Sequence, residues 1–392
     1  MIRVSSDGMD GFGISPEHLV DWTQTFVRHP SPQTELFEAE PQIQSFIADT
    51  VIPLTNGLGL PFRRDRMGNL IVELGPARAD RSLMLMAYAM THPANRMKSP
   101  FAGEMVESGG TRFIRGRGVS EQKGSLAAAL AAVKAAASNL SLNGRLVFTV
   151  STAGETGRHD AADSICADIG AIPRAAVIVI GTTGRVALAN KGRIDVIVTI
   201  RGKAAHSSTP WAGVNAIEGA RRVLDRVLAL GAGDARHSGL GQATLTPTAM
   251  RSWPEATHTV QDEVRLVFDR RLLPGDDPQA VFATIAAAAD IGAPWTVETT
   301  FGPFMHPAEL SPQGPLFGAI RRGCEQMALP APPTFYSHGA LDAGYFCAKG
   351  AEATMWGPGD MDQWHSEDER ISVDELQSGA RAYLGLIREF LC

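Results

Sequence analysis

Glu121 stands in Gly116-Arg117-Gly118-Val119-Ser120-Glu121-Gln122-Lys123-Gly124, directly ahead of an alanine-rich run. Glu155 stands in Ser151-Thr152-Ala153-Gly154-Glu155-Thr156-Gly157. His365 lies in the stretch that runs from Gly357-Pro358-Gly359 to His365-Ser366-Glu367-Asp368-Glu369. Carboxylate and imidazole can pair through a hydrogen bond or share a divalent cation. An acid at the start of a helix is also favoured by the helix dipole, with no further role. Cys166, Cys324, Cys347 and Cys392 are too widely spaced for a metal motif and read as free thiols of a reducing compartment.

The elements that must position these residues follow from pattern. Ser15-Pro16-Glu17 supplies an N-cap, a proline at the first helical position and an early acid, so a helix runs from there to about residue 28. A second helix is expected over 40–51. Residues 69–73, 82–89, 145–151 and 175–180 read as strands, the last three as short apolar runs of the kind buried on both faces. The alanine-rich stretch 125–138 reads as a helix with a small-residue face. Strands alternating with helices predict an α/β fold. Near Gly192 the texture changes. Strands are expected over 194–201, 243–250, 263–270 and 295–300, with helices over 214–230 and 278–290. That order is the βαββαβ of a ferredoxin-like α+β unit. The expected organisation is therefore an α/β domain of residues 1–191 and 301–392, interrupted by an inserted domain of residues 192–300. Helices over 316–327 and 373–390 belong to the first.

The 392 residues are 44% hydrophobic and 20% charged, an ordinary globular composition long enough for two cores. A net charge of −6 speaks against a nucleic-acid partner, which needs a basic face. No apolar run reaches the roughly 18 residues of a membrane span. The start of the chain lacks a signal pattern, so a cytoplasmic location is expected.

Taken together, these segments resemble the aminoacylase, acetylornithine deacetylase, succinyl-diaminopimelate desuccinylase and glutamate carboxypeptidase family, from about Ser15 to the C-terminus. The resemblance implies a zinc-peptidase-like α/β domain with an inserted lid domain that commonly dimerises. It also implies amide hydrolysis of N-acyl or peptide-like amino acids by two metal ions. In Leu85-Met86-Ala87-Tyr88-Ala89-Met90-Thr91-His92, Tyr88 stands where the family has its first metal-binding histidine, and Met90 replaces the aspartate that orients it. His92 is nearby but displaced. Glu121 takes the bridging aspartate's position. Gly154-Glu155 takes the place of a glutamate pair, so the general base is a glycine while Glu155 keeps a ligand position. Thr182, in Gly181-Thr182-Thr183-Gly184, stands where a further carboxylate ligand is expected. His365 matches the last histidine.

Both ligands unique to one ion are thus replaced, by Tyr88 and Thr182. The positions serving the other, Glu121, Glu155 and His365, keep coordinating side chains. One divalent ion (zinc, manganese or cobalt) is the expectation; a metal-free acid–imidazole pair is the alternative. In the inserted domain, His206 of Gly202-Lys203-Ala204-Ala205-His206 matches the histidine that reaches a neighbouring subunit's site and stabilises a negative oxygen. Arg271 of Asp269-Arg270-Arg271 matches a carboxylate clamp. His258 stands where a substrate-binding asparagine is expected, and Asp342 of Gly339-Ala340-Leu341-Asp342 matches a turn that orients ligands. Tyr88, Arg271, His258 and Asp342 are the expected substrate contacts, and Glu121 and His206 the expected catalytic groups. The implied protein is a homodimer that cleaves a C–N bond of a small carboxylated substrate. A metal-independent lyase, cyclase or acyl-transfer enzyme, or a non-catalytic binding protein, are the competing readings.

Overall fold

Six strands form one sheet in the order Phe62–Arg64, Leu70–Leu74, Arg145–Ser151, Ser82–Tyr88, Ala175–Val179, Glu352–Trp356. The last four run parallel, and the first two are antiparallel to their neighbours. Leu83 through Tyr88 are all buried, as a central parallel strand covered on both faces requires. The computed structural model describes residues 13, 15–34, 39–77, 79–154 and 156–392; Glu155 and residues 1–12 lie outside them.

Helices Gly124–Asn139 and Val373–Leu391 are among those that pack against this sheet. Gly124–Asn139 buries its alanines almost all round, so its backbone comes close to its neighbours. Val373–Leu391 opens with a reciprocal capping box between Ser372 and Glu375. The helix predicted over 40–51 is longer than expected. It runs as Pro41–Phe46, a widened turn at Ile47–Val51, and Ile52–Gly57. An exposed hairpin, Glu104–Ser108 with Thr111–Arg115, pairs with Arg370–Ser372 and was not expected. Its outer strand is exposed along most of its length, so no apolar alternation announced it. The helix Asp160–Ile169 was not expected either.

The chain divides into two compact units, Met1–Leu188 with Ala308–Tyr336 and Leu341–Cys392, and Ala189–Pro307 with Ser337–Ala340. In the second, Gly192–Arg201, Thr244–Trp253, Glu263–Leu272 and Thr296–Met305 form an antiparallel sheet with Gly192–Arg201 and Glu263–Leu272 central. Ile194, Val196, Val198 and Ile200 alternate onto one face and bury against Val223, Val227 and Ile285 of the helices Ala216–Leu230 and Pro278–Ala289. No helix among the described residues is long and apolar enough to cross a membrane.

Lys123 ties the widened turn Val119–Lys123 to the helix Pro16–Arg28. Its fully buried ammonium donates to the carbonyls of Phe26 at 2.8 Å and His29 at 2.7 Å, and lies 4.5 Å from the centre of the Phe46 ring. Burial pushes its pKa down to about 7. The unfolded chain, with an ordinary lysine, binds the proton more tightly than the folded one above that value. The lysine's contribution to stability therefore rises as pH is raised above about 7 and is lost as pH falls through it. In urea unfolding between about pH 6 and pH 9, wild type should gain stability relative to Lys123→Met as pH rises. A gap that stays constant across that range would show that the lysine does not titrate in the folded protein.

Candidate active site

The site is built at the bend that precedes the alanine-rich helix. Gly118 adopts φ of 75°, and a Cβ there would sit 2.3 Å from Thr91 Cγ2, so only glycine fits. The next turn is widened: the N–H of Gly124 donates to the carbonyl of Val119, five residues back. One buried carboxylate gathers the donors of this bend. Glu369 Oε2 accepts from the Gly118 N–H at 2.8 Å and from Arg117 Nη1 at 3.0 Å. Its Oε1 accepts from the N–H groups of Ser120 at 3.0 Å and Glu121 at 3.2 Å. Arg117 and Glu369 are both fully buried, so removing either would strand a charge, at a cost of about 3–5 kcal/mol. The Glu121 carbonyl is held as well, accepting from the Gly181 N–H at 2.8 Å.

Glu121 is thereby fixed, with 1% of its surface exposed. Its Oε1 lies 3.2 Å from His365 Nε2, and its Oε2 has no hydrogen-bond partner among the described residues. His365 adopts φ of 60°, a conformation that non-glycine residues hold only where surrounding contacts enforce it. One such contact is His92, whose ring stacks on that of His365 with centroids 3.9 Å apart and planes 21° apart. The hydrogen bond to Glu121 raises the pKa of His365, whereas burial and then the His365 charge lower that of His92.

The end of the central strand is arranged differently. Tyr88 is fully buried, and its hydroxyl donates to Asp342 Oδ2 at 2.8 Å while accepting from the Asp342 N–H at 3.3 Å. The other carboxylate oxygen, Oδ1, lies 2.8 Å from His159 Nδ1. A carboxylate only accepts, so His159 carries its proton on Nδ1. Thr182 is buried too, and its hydroxyl donates to the carbonyl of Arg185 at 2.6 Å, closing its own turn.

These contacts test how a metal pair would fit. Tyr88 and Thr182 do not fit an ion: both hydroxyls are committed to protein acceptors, and Asp342 is satisfied between two donors. The Glu121–His365 end does fit one. It offers a buried carboxylate oxygen without a partner among the described residues, which is costly unless something binds there. Among the described residues no group of three or more histidines, cysteines, aspartates or glutamates could hold a metal. The third expected ligand, Glu155, lies outside them.

The second unit places the remaining expected residues. The exposed His206 accepts the Ser208 N–H at Nδ1, 3.2 Å away, and its ring centroid lies 6.1 Å from that of His258. Arg271 is engaged within its own strand: Nε and Nη2 contact the two oxygens of Asp269 at 2.8 and 3.2 Å. An incoming carboxylate would have to compete with Asp269 for that fork. Sequence reasoning missed Glu369 as the residue that fixes Glu121. It lies 248 positions from Glu121, and nothing local to either marks the pairing.

The Glu121–His365 contact can be checked directly. In metal-free protein, the His365 ring should titrate above a free histidine by NMR, and Glu121→Gln should bring it down. An unchanged titration in the variant would mean that the two side chains do not meet in solution.

The model of Peptidase family M20/M25/M40 matches residues 91–389. N-acetyl-L-citrulline deacetylase of Xanthomonas campestris pv. campestris is 28% identical over 272 residues, which are 67% of this chain and 70% of that protein. The M20 family metallo-carboxypeptidase Sso-CP2 of Sulfolobus solfataricus matches with a TM-score of 0.74 at 16% identity, over 95% of this chain and 99% of that one. A dinuclear metal binding peptidase of the M20 family from Bacillus subtilis matches with a TM-score of 0.69 at 13% identity, over 97% and 99%. Those two likenesses are of fold. The family match covers most of the sequence, and the chain belongs to the M20/M25/M40 peptidase family, with its mixed α/β fold.

Proposed function

We propose that the protein hydrolyses a C–N bond of a small carboxylated substrate, an N-acyl or related amino acid, with at most one divalent ion. The observation that carries this reading is the buried Glu121 carboxylate, half engaged by His365 and half without a partner among the described residues. Glu121, His365 and Glu155 are the residues that would hold the ion. When bound, such an ion polarises a carbonyl and acidifies water. The name of the citrulline deacetylase relative supports an N-acyl substrate.

In this reading Glu121 supplies fixed negative charge, and His365, whose Nε2 faces Glu121, would help hold the ion in place of that hydrogen bond. His206 stabilises the negative oxygen that forms as water adds to the acyl carbon. The C–N bond then breaks, and the leaving nitrogen takes up the proton that the attacking water gave up. Gly154 provides no proton carrier, and loss of a general base costs roughly 10²–10⁴-fold. The substrate is therefore one whose C–N bond is more activated than that of a peptide. Arg271 binds the substrate carboxylate in competition with Asp269. The second unit is the proposed dimerisation surface, and the cytoplasm the proposed compartment.

A panel of N-acyl and N-carbamoyl amino acids, assayed with zinc, manganese or cobalt and with chelator, tests the reading. We expect metal-stimulated turnover on at least one member of the panel. Glu121→Gln should abolish the stimulation, and His206→Ala should lower kcat by about 10²–10³-fold. Turnover indifferent to chelator would instead favour a metal-independent enzyme, for which the self-satisfied Tyr88–Asp342–His159 contacts are the supporting observation.

A further inference from the structure

Gly154 follows the strand Arg145–Ser151 and is buried. A Cβ built on it would lie 2.5 Å from Tyr88 Cγ, 2.6 Å from Cδ2 and 2.7 Å from Cδ1. Real Cβ atoms do not approach a ring that closely. The φ of Gly154 is outside the left-handed region, so the backbone there does not itself demand glycine. What demands it is the Tyr88 ring.

That ring has little freedom to move aside. Its Cβ end is fixed in the central strand, paired on both sides. Its hydroxyl end is fixed by two hydrogen bonds to Asp342, and Asp342 is fixed in turn by His159. Interiors this closely packed transmit a clash rather than absorb it.

We infer that Tyr88 and Gly154 form an interlocked pair in which the tyrosine ring fills the position of one metal ion and forbids any side chain at 154. Loss of that ion and loss of the general base are then one structural event. The contacts Tyr88–Asp342–His159 are what holds this end of the site together in place of the cation, and His159 acts there as a positioning residue. The inference deepens the reading of a site with at most one ion. It rests on that reading only for the ion count, since the interlock itself is a matter of packing.

A double-mutant cycle tests it. Gly154→Ala should lower the thermal unfolding midpoint by at least about 3 °C, the scale expected for overpacking. In a Tyr88→Ala background, the same substitution should cost about 1 °C or less, because the ring is gone. In Tyr88→Phe, which keeps the ring and drops the hydroxyl, it should still destabilise. Equal effects of Gly154→Ala with and without the ring would overturn the interlock. Zinc titration of the wild-type protein is the second measurement, and it needs no variant to fold. One equivalent or fewer per chain supports the filled position, and two equivalents refute it. Absence of turnover on every substrate would remove the proposed function and leave both of these results decisive.

Discussion

Glu369 is the constraint on which the candidate site depends. Its carboxylate is buried, and it gathers three backbone N–H groups and the Arg117 guanidinium. A buried charge is tolerable only when its lone pairs are satisfied, and here they are satisfied by the bend that carries Glu121. The bend needs glycine at 118 and ends in a widened turn. Lys123, two residues on, ties the same turn to the helix Pro16–Arg28. A strained, well-anchored segment is how a protein holds a charged side chain in place while leaving part of it without a partner.

The two ends of the site handle polarity in opposite ways. Beside the central strand, Tyr88, Asp342 and His159 satisfy one another. Across the site, the Glu121 carboxylate meets only His365 among the described residues, and the strained His365 backbone is held against His92. An end that is complete has no need of a ligand. An end that leaves a buried carboxylate oxygen without a donor among the described residues has room for one. This asymmetry is the physical basis for expecting one cation and for placing it.

Much of this was legible in the sequence. Buried strands announced themselves as short apolar runs, and Ser15-Pro16 as a helix start with the Ser15 side chain accepting from the His18 N–H. In the second unit, strict alternation from Ile194 to Ile200 set the buried face. The replaced positions, Tyr88, Gly154 and Thr182, stood out by residue type. Their consequences did not. The Tyr88–Asp342 bond spans 254 positions and the Arg117–Glu369 pair 252, and no local pattern encodes such contacts. The clash that fixes Gly154 depends on where a ring lies, which residue types alone do not give. At Arg271 the residue type suggested a clamp, and what it did not announce is that Asp269, two positions away, shares the fork.

The account's central claim is positional, so the most direct measurement is anomalous diffraction from crystals of the wild-type protein grown with zinc. The prediction is a single ion against Glu121 and His365, with none beside Tyr88 and Asp342. A peak beside Tyr88, or two ions bridged by Glu121, would contradict it.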